Sequence, residues 1–211
     1  GPALIEQAWH YETHANMWRI TDDFWDEWEL LYNMFERCEK WCTHTGAGHW
    51  PDADMLPIGA IRQDYSFDNH TEFTEEEQKT MMSLWCIFRS PLFIGGDLTK
   101  CDDFTLKLLT NSKILTMHRN SRNAHQVWRR EINGVEHILW KADNIGGGIY
   151  AAIFNVGEAD SKIEINLRDL EIHDGQSCTE LWSGNKAPIN GKISVRLAPH
   201  GAKVFKIISN N

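Results

Sequence analysis

Arg19, Asp22 and Asp23 lie together in "MWRITDDFWDEW", residues 17 to 28, where an extended run gives way to a helical pattern. Two carboxyls beside a guanidinium suit acid–base chemistry on a polar substrate. Cleavage of a glycosidic bond needs a pair of carboxyl groups flanking it, one of them able to hold a proton. The planar fork of Arg19 suits sugar hydroxyls. The same two aspartates also read as a helix N-cap, accepting orphan N–H groups and favouring the dipole. These residues alone leave both readings open.

A second cluster, "GHWPDADMLPIG", spans residues 48 to 59. Asp54 and Met55 fall where a strand meets a loop, with Trp50 nearby. That set offers a hydroxyl acceptor beside an apolar surface for a sugar ring, or simply a tight loop with Asp52 as its turn residue. Asp97, after "FIGG", reads as a cap for the following helical region. His10 and His14 are four residues apart, but the Glu of "HYETH" is misplaced for a zincin. Cys38 and Cys42 lack the second pair that a tetrahedral site requires. No metal and no cofactor are therefore expected. Asn69-His70-Thr71 forms a glycosylation sequon.

Three βα units position these residues. "NMWRIT" (16 to 21) reads as a strand, and Phe24, Trp28, Leu31, Phe35 and Cys38 recur at helical spacing, predicting a helix over 24–41. "ADMLPIG" predicts a second strand, and "TEEEQ" opens a second helix with Thr74 and Glu77 as a capping box. "SPLFIGGD" predicts a third strand before the helix in "DDFTLKLLTN". A parallel sheet follows, with polar residues at each strand's C-terminal end, where such folds gather their chemistry. From about residue 123 the pattern changes to short alternating runs, predicting an antiparallel β-sandwich. The expected domains are 1–122 and 123–211. Three units fill about half of an eightfold barrel.

The charge of −9 argues against nucleic acid and anionic membrane surfaces as partners, since both need a basic patch. No apolar run reaches the roughly 20 residues of a membrane span. Ten tryptophans lean towards carbohydrate, whose rings stack on indoles. Five cysteines without CxxC read as free thiols, which favours the cytoplasm. The opening "GPAL" has no initiator Met and equally fits tag removal, so it fixes no compartment.

The segments "WRITDDFWDEW", "GHWPDADMLPIG" and "LWCIFRSPLFIGGDL", followed by a β domain containing "AAIFNVG", resemble glycoside hydrolase family 27. These are the melibiase-type α-galactosidases and α-N-acetylgalactosaminidases. The resemblance implies the C-terminal half of a (β/α)8 TIM barrel followed by an antiparallel β-sandwich. The family's acid/base, four residues after its Arg, falls on Asp23, which leaves Asp22 as the cap. Its sugar-binding Arg falls on Arg19, and its Asp-Met pair on Asp54 and Met55. The family's "WNDPDM" is "WPDADM" here, with Pro51 and Ala53 exchanged in.

The resemblance also implies a retaining exo-α-galactosidase whose nucleophile, on the fourth barrel strand, precedes Gly1. The expected partners are therefore an α-galactoside or related carbohydrate, and an N-terminal half-barrel polypeptide or a second copy of the chain. An α-N-acetylgalactosaminidase and a non-catalytic sugar-binding module are the alternatives.

Overall fold

The computed structural model describes residues 1–61, 70–173 and 175–209. The chain divides into two compact units, Gly1–Asn111 and Ser112–Asn211.

In the first unit, α1 (Ala8–His14) leads into β1 (Met17–Arg19), then α2 (Trp28–Trp41) and β2 (Trp50–Asp52). β1 and β2 pair in parallel, with Met17 opposite Trp50 and Arg19 opposite Asp52. The ladder ends where Ile20 N–H donates to Asp52 O at 2.9 Å. α3 (Glu75–Phe88) and α4 (Asp103–Leu109) follow. α3 opens with the expected capping box: Thr74 accepts from Glu77 N–H while the Glu77 carboxylate accepts from Thr74 N–H. Nearly every residue of α3 from Glu77 to Phe88 is buried, so this helix is a central support and not a surface layer. Phe24 packs against Trp85 of α3 with ring centroids 5.0 Å apart.

Three local expectations change. The helix expected from Phe24 begins at Trp28, with Glu27 before it and no side-chain cap. Asp22 is therefore not its cap. Residues 20–27 form an irregular segment because Phe24 N–H and the Asp26 carboxylate are tied to distant chain, at Asp54 and Glu72 respectively. The second strand lies at 50–52, ahead of "ADMLPIG", since a left-handed Asp54 and the donor-less Pro57 break the extended run. The third strand is reduced to one parallel bridge, Leu56 with Ile94, plus a bond from Asp97 N–H to Ala60 O. Two glycines weaken that stretch, and the Gly96 backbone comes so close that a Cβ would lie 2.3 Å from Ile58 O. Asp97 accepts from Thr99 N–H and caps a 3₁₀ turn at Leu98–Lys100, while Asp102 caps α4.

The second unit starts with α5 (Ser112–Asn120), which runs without a break into β3 (Ser121–Ile132). The Asn120 carbonyl accepts from Ile145 N–H at 3.1 Å, which ties α5 to the sheet and puts the contact boundary ahead of residue 122. β4 (Val135–Asn144), β5 (Ile149–Asn155), β6 (Ser161–Asn166), β7 (Gly175–Glu180), β8 (Lys186–Ala187), β9 (Lys192–Leu197) and β10 (Ala202–Ser209) complete it. The order β3-β4-β5-β10-β7-β8 makes one sheet and β6-β9 another. Strict alternation on β6 and β9 turns Ile163, Ile165, Ile193, Val195 and Leu197 into a shared core with Leu139, Ala151, Ile153, Phe205 and Ile207 of the larger sheet. β5 is buried along its whole length, as a central strand covered on both faces must be.

Among the described residues, no helix is long and apolar enough to cross a membrane, and no three His, Cys, Asp or Glu side chains converge as a metal site. His10 and His14 have ring centroids 4.7 Å apart. Cys38, Cys86 and Cys178 are buried free thiols, and Cys42 and Cys101 are partly exposed ones. The sequon's Asn69 lies outside the described residues.

Two neighbouring glycines between β4 and β5 separate backbone strain from steric contact. Both have positive φ, 89° at Gly147 and 73° at Gly148, but only at Gly148 would a Cβ meet backbone, 2.2 Å from Ile207 O. Gly147→Ala should cost about 1 kcal/mol from φ strain alone. Gly148→Ala should cost clearly more, because β10 must also shift. Urea unfolding midpoints of the two variants measure the difference.

Candidate active site

Arg19 is the last residue of β1, and Asp52 is the last of β2. Parallel pairing brings these two strand ends side by side, so the loops that follow share one edge. Arg19 sends Nη2 to Asp54 Oδ2 at 2.7 Å, and the same nitrogen lies 3.6 Å from Asp23 Oδ1. It also donates to the Asp22 carbonyl at 2.7 Å. One guanidinium thus gathers both loops. The Asp54 side chain is 14% exposed and that of Asp23 is 88% exposed, so the pair divides into a fixed carboxylate and an accessible one.

Asp54 is held from every side. Its φ is +79°, a region that L side chains enter at a cost of order 1–3 kcal/mol. Its N–H donates to Asp52 Oδ1 at 2.9 Å, its carbonyl accepts from Trp85 Nε1 at 2.9 Å, and its Oδ2 accepts from Phe24 N–H at 2.8 Å. Ala53 N–H donates to Ser90 Oγ at 2.9 Å and fixes the residue before it. Such over-determined strain collects at sites where geometry matters. Met55 follows, its thioether against Gly95, where a Cβ would stand 2.7 Å from Met55 Sδ.

Burial pushes the Asp52 carboxyl above its ordinary range, opposed by its bond from Asp54 N–H, reinforced by the nearby Asp54 charge and countered by Arg19. Its function is local: it supplies the acceptor that Asp54 N–H needs in its unusual conformation.

The structure brings together Arg19, Asp23 and Asp54, with Met55 next to Asp54 along the chain, but not Trp50. Trp50 begins β2, at the opposite end of the strand from Asp54, and the Arg89 guanidinium lies 4.5 Å from its ring centroid. That cation–π contact covers one face of the indole. Asp22 is exposed and contributes its backbone carbonyl only. Trp85, Ser90 and the Phe24 N–H went unforeseen as supports. Each lies 30 or more residues from its partner, beyond the reach of local pattern.

A parallel βα arrangement with acids at its C-terminal edge, followed by an antiparallel sandwich, fits a glycosidase barrel with a trailing β domain. Residues 6–120 match the family described as alpha galactosidase A, and residues 123–207 match the alpha galactosidase C-terminal β-sandwich domain. The chain belongs to this melibiase-type family, glycoside hydrolase family 27.

A crystal structure of a family 27 β-L-arabinopyranosidase from Geobacillus stearothermophilus is 43% identical, with a TM-score of 0.91, covering 99% of this chain and 48% of that one. A structure from Bacillus halodurans C-125, a candidate α-N-acetylgalactosaminidase, is 38% identical with a TM-score of 0.79, over 100% of this chain and 48% of that one. An α-galactosidase of Oryza sativa subsp. japonica is 26% identical over 93% of this chain and 45% of its own length. The chain thus spans a little under half the length of each of these relatives.

Two outcomes are expected from the two kinds of carboxylate. Asp54→Ala should destabilise the first unit by about 2–4 kcal/mol, because it strips Arg19 of its close partner and orphans Phe24 N–H. Asp23→Asn should leave the unfolding midpoint unchanged; guanidinium titrations of both variants are the measurement.

Asp52 gives a pH signature. Its folded-state carboxyl holds its proton more tightly than the unfolded chain does, so its contribution is best at acid pH and declines as pH rises through the raised value. Asp52→Asn keeps an acceptor oxygen for Asp54 N–H and removes the buried charge. The variant should exceed the parent in stability at pH 7, and the gap should close towards pH 4, as read by thermal melts across pH.

Proposed function

We propose that these residues form the acid/base half of a retaining exo-glycosidase acting on terminal sugars of galactose configuration, of which α-galactosides are the leading class. The observation that carries this reading is the Arg19 guanidinium joining Asp54 at 2.7 Å to the neighbourhood of Asp23 at 3.6 Å. Family membership supports it. A carboxylate nucleophile supplied by the other barrel half attacks the anomeric carbon as the glycosidic C–O bond breaks, and the Asp23 carboxyl gives its proton to the departing oxygen. The resulting Asp23 carboxylate then takes a proton from water, whose oxygen attacks the same carbon and releases the nucleophile. Arg19, Asp54 and Met55 hold the terminal sugar. Asp23 suits its part because it is exposed, open to both leaving group and water. No cofactor enters these steps.

The remaining barrel half comes either from preceding chain or a separate polypeptide, or from a second copy. The first arrangement supplies a distinct nucleophile and is the one proposed. A second reading has its own support: the 43% identity to the β-L-arabinopyranosidase. β-L-arabinopyranose matches α-D-galactopyranose in ring and hydroxyl configuration but lacks the C6 hydroxymethyl group. The family's α-N-acetylgalactosaminidases provide the third glycone.

Aryl glycosides of the three sugars, assayed with the completed barrel, decide among them by kcat/KM. The 211 residues alone should hydrolyse none. In the completed enzyme, Asp23→Asn should lower kcat/KM by about 10²–10⁴-fold for poor leaving groups and much less for dinitrophenyl glycosides. An equal loss across leaving groups would remove Asp23 from the acid role.

A further inference from the structure

Residues 23 to 27 alternate sharply in exposure. Asp23, Trp25 and Glu27 are exposed, while Phe24 is 1% and Asp26 2% exposed. Both buried residues are anchored: Phe24 packs on Trp85 and donates its N–H to Asp54 at 2.8 Å, and Asp26 Oδ2 accepts from Glu72 N–H at 2.6 Å. With Phe24 and Asp26 pinned inward, the side chains between and beside them are directed outward. Asp23 and Trp25 thus flank the buried Phe24, and both are exposed.

Trp25 is 38% exposed, a large apolar surface for an indole whose neighbours on both sides are core residues. A short bond from Glu27 N–H to the Trp25 carbonyl, 2.9 Å, turns the chain immediately afterwards and holds the residue in place before α2 begins.

We propose that Trp25 is the platform for the leaving group: it stacks on the apolar face of the ring that Asp23 protonates. This rests on Asp23 being the acid/base, as proposed above. A general acid must lie within hydrogen-bond reach of the departing oxygen. Whatever carries that oxygen therefore lies over the residues flanking the acid on its exposed side, and Trp25 is the apolar one among them. Arg19, Asp54 and Met55 lie on the inner side and hold the terminal sugar. The inference assigns a substrate class: the aglycone is itself a ring with a C–H face, a second pyranose of a di- or oligosaccharide. A short acyclic leaving group would gain nothing from the indole.

The test uses the completed barrel, with Trp25→Ala and Trp25→Tyr assayed on two substrates sharing the glycone that the parent cleaves best. One is the glycosyl fluoride, whose leaving group has no ring. The other is a disaccharide with a pyranose aglycone. Trp25→Ala should lower kcat/KM on the disaccharide by about 3- to 10-fold, the range expected for one aromatic contact. On the fluoride it should stay within about twofold of the parent, and Trp25→Tyr should recover most of the disaccharide loss. Equal losses on both substrates, or no loss on the disaccharide, overturn the assignment while leaving the acid/base reading intact. An Asp23→Asn variant that loses as much on the fluoride, which needs no acid assistance, as on the disaccharide overturns the acid/base reading, and the Trp25 assignment with it.

Discussion

Asp54 adopts a left-handed backbone, and the candidate site is arranged around the cost of keeping it there. That conformation points its carboxylate back across the strand ends at Arg19 while its carbonyl meets the indole of Trp85. Remove any one of its contacts and the residue is free to relax towards an ordinary β conformation, which would carry the carboxylate away from Arg19. The helix α3 is accordingly buried almost throughout. It supplies both the indole that holds Asp54 and the aromatic surface that holds Phe24. One side chain of α3, Trp85, thus meets both Asp54 and Phe24.

The consequence is a division of mobility. Asp54 and Arg19 are held in place by the fold itself, so under the proposed function little ordering is left for a sugar to impose. Asp23 is different: it touches Arg19 only loosely and is otherwise open to solvent. That freedom suits the acid/base part proposed for it, provided its backbone is anchored. Phe24 and Asp26 provide the anchor immediately downstream.

Much of this was legible in the sequence, and the exceptions share one cause. The resemblance singled out Arg19, Asp23, Asp54 and Met55, while local pattern gave the capping box at Thr74 and Glu77 and the change to alternating strands near residue 123. The onset of α2 was misplaced by four residues, since Phe24 fits the helical stripe. What removes it from the helix is an N–H bond to Asp54, which periodicity cannot reveal. Asp22 lost its role as cap with that shift. Trp50 was read as a sugar platform because it is close to Asp54 in sequence. Strand direction, three residues of it, carries the indole to the opposite end, where Arg89 covers it. The third strand was marked by its apolar residues, but regular pairing fails where Pro91, Gly95 and Gly96 withhold a donor and two side chains.

The contact between Met55 and Gly95 reaches beyond this molecule to how its pocket can diversify. Met55 Sδ fills the space in which a side chain at residue 95 would begin. The wall beside the proposed sugar position is therefore shared property of two positions forty residues apart in the chain. A larger side chain at 95 is admissible only after Met55 shrinks or turns, and a smaller residue at 55 leaves a void that only position 95 is placed to refill. Exploring position 55 alone therefore samples one row of a two-dimensional table. Glycone preference in this lineage should move by paired exchanges at 55 and 95, with the single exchanges as shallow, poorly packed intermediates between two workable pockets.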